Sequence, residues 1–212
     1  MRAVVIGAHR HRDDISGDAI AIPLGDLFLS AVELAPQQPA GDRELLIRVA
    51  KIRARLLDVA TFIAVRYGFV ITNESDAMSK CGAHVDRWRA LLDEHRNDVE
   101  LTLKIAAATP QPRPKRTEFA NGADYLRALH AATQGAAIDG AFREAVDARL
   151  VPLAKQHRWI HRDNASMELA LLVARERIDE VNAAGTALKS FDVPFLLSGP
   201  WPLEVFAQEV EQ

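Results

Sequence analysis

The chain has 212 residues, 49% hydrophobic and 26% charged, with a formal net charge of −3 at pH 7. That balance belongs to a globular core under a solvated surface and excludes a disordered chain. It also lacks the basic excess by which nucleic-acid binders neutralise phosphates. One cysteine, Cys81, excludes an intrachain disulfide and fits a reducing compartment.

The first apolar run, Ala3–Ala8, stops at His9-Arg10-His11-Arg12-Asp13-Asp14. It is too short for a signal peptide, and no run approaches the ~18 apolar residues of a membrane span. A cytoplasmic protein is expected. Residues 2–8, 19–22 and 27–34 read as strands, with a turn at Pro23-Leu24-Gly25-Asp26. Ala35–Gly41, with two prolines, is a connector. Leu45, Val49, Ile52, Leu56 and Val59 recur at three- and four-residue steps, the apolar stripe of a helix. Residues 62–71 are β-branched and aromatic and predict one strand. A helix comes next, N-capped by Asn73 or Ser75, with Val85, Trp88, Leu91 and Leu92 inward.

Strand and helix order restarts near Arg96. Val99–Ile105 alternates apolar and polar, a half-buried strand. The alternate prolines of 109–116 make an extended loop. A helical region over about 121–155 is interrupted at Gly135 and Gly140 and so falls into two pieces. Tyr125, Leu129 and Ala132 share one face, and Phe142, Val146 and Leu150 another. A short strand at Trp159-Ile160, a turn at Asp163-Asn164, a strand over 167–174, a helix over 176–188 and a strand over 193–197 complete the chain. The expected fold class is α+β in two domains, 1–96 and 97–212. The second reads as a ferredoxin-like βαββαβ antiparallel sheet with helices on one face and a long helical insertion.

Complete catalytic sets are missing. His9-x-His11-x-Asp13 resembles the cluster of binuclear metallohydrolases, but that motif needs a further histidine where Asp14 stands. His161-Arg162-Asp163 matches a kinase triplet by chance, since Glu168 occupies the magnesium-binding asparagine position. His157 and His161 would co-ligate zinc only on a helix, and their surroundings read as strand. Cys81 lies in no nucleophile motif and reads as a structural thiol. There is no phosphate-binding glycine loop. No enzyme activity, cofactor or metal is expected.

Three patterns carry a resemblance. Leu197-Ser198-Gly199-Pro200-Trp201-Pro202 with Phe206 is similar to the terminal Gly-Pro-Trp-Pro-Pro-Tyr-x-Phe run of the gas vesicle protein F/L family, with Leu203 and Glu204 replacing Pro-Tyr. Val65-Arg66-Tyr67-Gly68-Phe69-Val70 resembles its strand after the first long helix. Val99-Glu100-Leu101 with Lys104, and Gly122-Ala123-Asp124-Tyr125-Leu126, resemble its next strand and helix start. The resemblance spans roughly residues 60–206. It implies two α+β domains and a cytoplasmic, vesicle-associated assembly factor or minor structural component. Contacts with the shell protein and other accessory proteins would carry the function, without nucleic acid or a membrane span.

Arg66, Gly68, Tyr125, Gly199, Pro200, Trp201, Pro202 and Phe206 are the candidate interaction or structural residues. Pro200 and Pro202 donate no N–H, so a central strand cannot continue there. Trp201 is then either a plug in the core or a partner-facing anchor. Arg66 is either a paired structural charge or an interface contact. The rival readings are a ferredoxin-like ligand-binding or sensory module and a metal-dependent hydrolase using His9, His11 and Asp13.

Overall fold

Seven consecutive buried residues, Ala3–His9, form β1, a strand covered on both faces and paired on both edges. The structure, a computed structural model, describes residues 1–10, 19–105, 114–134, 140–162 and 166–208. Within these, the chain is a mixed α+β protein with two antiparallel sheets, and it divides into two compact units. One comprises Met1–Glu100 with Pro200–Gln212, the other Leu101–Gly199.

In the first unit β2 (Ile20–Leu24) turns tightly into β3 (Leu27–Glu33), with Leu24 opposite Leu27. Gly25 opens that two-residue turn at φ 65°, where a II′ hairpin takes glycine. The sheet runs β2-β3-β1-β4, with β4 at Ile63–Ala64, and β5 (Val70–Ile71) pairing separately with β1. Register slips between Val5 and Gly7 of β1, a bulge that leaves one residue unpaired. A Cβ on Gly7 would sit 2.5 Å from Phe62 and 2.6 Å from the Ile63 carbonyl, so only glycine lets β4 approach.

Helix α1 (Arg43–Val59) starts at Asp42, whose carboxylate accepts the Leu45 amide at 3.3 Å. It buries Leu45, Val49, Ile52, Leu56 and Leu57. Val59, expected in that stripe, is 61% exposed at the last position of the helix, whereas Leu57 is buried. Asn73 caps α2 (Glu74–Cys81) through the Asp76 amide at 2.8 Å. A 3₁₀ turn at Gly82–His84 leads into α3 (Val85–Glu94), which buries Val85 and Leu92 and leaves Trp88 and Leu91 only half-buried.

The expected single strand over 62–71 is two short ones. Between them the Phe69 amide donates to the Arg66 carbonyl at 3.3 Å, and Gly68 takes φ 86°. Such a φ is open to glycine and breaks an extended run.

β6 (Asp98–Ile105) enters the second unit, followed by α4 (Gly122–Gln134), α5 (Gly140–Arg149), β7 (Gln156–His161), β8 (Met167–Ala174), α6 (Ile178–Ala187) and β9 (Phe195–Trp201). The sheet order is β7-β8-β6-β9. Leu101, Leu103 and Ile105 join Leu169, Leu171 and Val173 under Phe142 and Val146 of α5 and Val181 of α6. Alternate residues of two strands thus face two helices, as a pleated sheet requires. Residues through 113 of the proline-rich connector, Gly135 and the Asp163-Asn164 turn lie outside the described residues.

The final strand reaches Trp201, four residues past its expected end, because it lies at the sheet edge. There Pro200 needs no donor on the outer side. The segment from Pro200 onward groups with the first unit rather than with the domain expected to begin at residue 97.

Candidate functional site

The matching motif lies where the chain leaves β9. Gly199 has φ 132°, a conformation an L side chain rarely adopts, and it stands before Pro200. Pro202 is buried, and Leu203 forms a parallel bridge to Ile63. The Leu203 amide donates to the Phe62 carbonyl at 2.9 Å, and the Ala64 amide donates to the Leu203 carbonyl at 2.9 Å. The tail therefore adds a one-residue strand to the edge of β4.

Trp201 is 46% exposed and does not plug the core. The apolar filling comes from Leu203, 1% exposed, and Phe206, 8% exposed. The flanking prolines stiffen the chain and direct Leu203, rather than the tryptophan, inward.

Glu100 fixes the segment beyond Leu203. Its carboxylate accepts the Glu204 amide at 2.8 Å, the Val205 amide at 3.0 Å and the Phe206 amide at 2.9 Å. It is 2% exposed. Burial pushes its carboxyl above the usual carboxylate range, opposed by the three amides, which favour the anion. Alternation along 99–105 places Glu100 on the polar face of its strand, so periodicity alone points it to solvent. Only its place in the Val-Glu pattern singled it out.

The other candidates separate. Arg66 is exposed on the turn after β4, and Gly68 shapes that turn. Tyr125, in the second unit, is half-buried on α4 against Phe119, rings 6.1 Å apart. His9 is buried in β1 with its Nε2 2.7 Å from the Ser30 hydroxyl. His11 and Asp13 lie outside the described residues. His157 and His161 are exposed on β7, four residues and so about 13 Å apart along a strand. The Cys81 thiol is buried, which pushes its pKa up and makes it a poor nucleophile. Among the described residues no three His, Cys, Asp or Glu side chains cluster as metal ligands, and no helix is long and apolar enough to cross a membrane.

Two antiparallel sheets, helices on the second, and a C-terminal tail latched to a buried glutamate define a mixed α+β scaffold. The chain belongs to the family of gas vesicle synthesis protein GvpL/GvpF, whose model matches residues 16–207. Its fold is that of two solved gas vesicle proteins. The crystal structure of gas vesicle protein GvpF from Microcystis aeruginosa superposes with a TM-score of 0.74 at 11% identity, covering 98% of this chain and 99% of that one. That of GvpF from Anabaena sp. PCC7120 gives 0.73 at 13% identity, covering 100% and 98%. No curated protein sequence matches.

Proposed function

We propose that this protein is a gas vesicle assembly factor or minor structural component. It acts in the cytoplasm through contacts with the shell protein and other accessory proteins, without catalysis. The family match over residues 16–207 carries the reading. An exposed tryptophan on a proline-stiffened edge strand supports it, since tryptophan is enriched among the residues that dominate interfaces. Pro200, Trp201 and Gly199 are the interaction residues in this reading. Gly68, Pro202 and Phe206 shape the scaffold, and Tyr125 belongs to the second unit.

We also read the chain as two domains, the second ferredoxin-like. The strand order β7-β8-β6-β9, with α5 and α6 on one side of the core, supports that assignment. The test is capture of purified shell protein by the immobilised full chain, with Trp201→Ala alongside. Capture by the native chain, weakened by about 2 kcal/mol or more in the variant, is expected. No capture of shell protein or of any vesicle accessory protein by the native chain overturns the reading.

A further inference from the structure

An open groove of about 570 Å³ in the first unit is lined by β4 and Val65 on one side and by Glu204, Ala207 and Gln208 of the tail on the other. Arg66, Arg87, His84 and Trp88 line it. The His84 and Trp88 rings stack, 5.5 Å between centroids at 21°. The exposed Arg66 guanidinium makes no ion pair among the described residues. By contrast, Arg89 grips Asp26 through two bonds of 2.7 Å, and Arg10 bridges Asp26 and Asp93. Glu204 is the carboxylate among the described lining residues, set against the two arginines. The groove is therefore cationic.

We propose that this groove docks an extended acidic segment of a partner protein. The inference rests on the reading that the protein works through partner contacts, and it names the chemistry of one such contact. Charge complementarity selects the occupant. The Arg66 guanidinium presents forked donors that match a carboxylate, and the half-buried Trp88 in the same lining offers a flat apolar surface for the segment's side-chain stems. The opening along the groove suits a chain better than the enclosed, mostly apolar pockets that hold small molecules. Binding is steered by charge and falls as salt rises.

The test titrates the full-length protein with fluorescein-labelled hexaglutamate by anisotropy, with hexaglutamine and ATP as separate arms. The Trp88 indole N–H resonance localises the contact. Saturable binding of hexaglutamate that moves Trp88 is expected, together with no binding of hexaglutamine. Arg66→Glu should weaken it at least tenfold and Arg66→Gln severalfold, while Arg43→Glu on the exposed side of α1 should change it less than twofold. Equal binding by hexaglutamine, no effect of either Arg66 variant, or no hexaglutamate binding overturns the proposal. ATP binding that moves Trp88 while hexaglutamate leaves it still also overturns it, marking a nucleotide site. Shell-protein capture retained by the native chain while hexaglutamate fails removes the groove alone and leaves the partner reading standing. Loss of all partner capture by the native chain removes that reading whatever the peptide does.

Discussion

Three backbone amides converge on the buried carboxylate of Glu100, and burial and hydrogen bonding pull its ionisation in opposite directions. Removing the acceptor leaves donors without partners at about 1–3 kcal/mol each where water cannot replace it. Glu100→Ala should therefore lose at least ~2 kcal/mol in urea denaturation. The carboxyl pKa is raised in the fold, so the folded state holds its proton longer than the unfolded chain does. Its contribution is complete below the ordinary carboxyl pKa and is lost as pH rises through the raised value. Measured against Glu100→Gln, native stability should decline as pH rises above the ordinary carboxyl pKa of about 4. An advantage that grows over that rise would contradict this.

Asp26 behaves in the opposite sense. The two hydrogen bonds from Arg89 hold its carboxyl down to about 2. Its contribution is present above the ordinary value and disappears as pH falls toward 2. Thermal scans should show native protein and Asp26→Asn differing near about pH 6 and converging in strong acid. Trp201 and Leu203 provide a paired test of which side chain fills the core. Leu203→Ala should cost about 2–5 kcal/mol, as for a buried leucine, whereas Trp201→Ala should stay within about 1 kcal/mol on thermal melting.

The same opposition between neighbouring residues shapes the elements. β1 accepts β5 along Ala3-Val4 and β4 along Gly7-Ala8, and the bulge between Val5 and Gly7 separates the two pairings. A methyl group at residue 7 collides with a backbone carbonyl as well as a ring, so the neighbour cannot simply rotate away. Gly7→Ala should lower stability by at least ~2 kcal/mol in denaturant. At Gly185 of α6 the corresponding contact, 2.5 Å, is with the Cδ2 of Leu197, the tip of a flexible side chain. Gly185→Ala should cost less than Gly7→Ala in the same measurement, and an equal or larger loss would show that Leu197 has no room to yield. The turn Arg66–Phe69 connects β4 to β5, and its Gly68 divides what composition alone presents as one strand.

At the scale of the whole molecule, the last segment returns to the first unit. Leu203 closes the β4 edge, and Glu100 holds residues 204–206. A chain ended after Gly199 should show faster amide hydrogen exchange than the full chain at Ala64, whose N–H donates to the Leu203 carbonyl. Leu169, in the core of the second unit, should keep its protection in both. Equal protection of Ala64 in the shortened and full chains would mean that the tail does not stabilise β4.

Local periodicity by itself determined much of this protein. Leu45, Val49, Ile52 and Leu56 specify α1, alternation along 99–105 specifies β6, and Asn73 marks the start of α2. Local chemistry also marked Pro200 and Pro202 as the end of any central strand, because proline donates no N–H wherever it stands, whereas Gly68 was singled out only by the family pattern. Tertiary structure decided what depends on residues distant in the chain. Glu100 looks solvated in its own strand and is buried only because a segment about a hundred residues later covers it. Trp201 looks like the natural plug, yet the edge position of β9 leaves it exposed and gives the core to Leu203 and Phe206. Burial is set by what packs on a residue from elsewhere in the chain, and nearest-neighbour patterns carry no record of it.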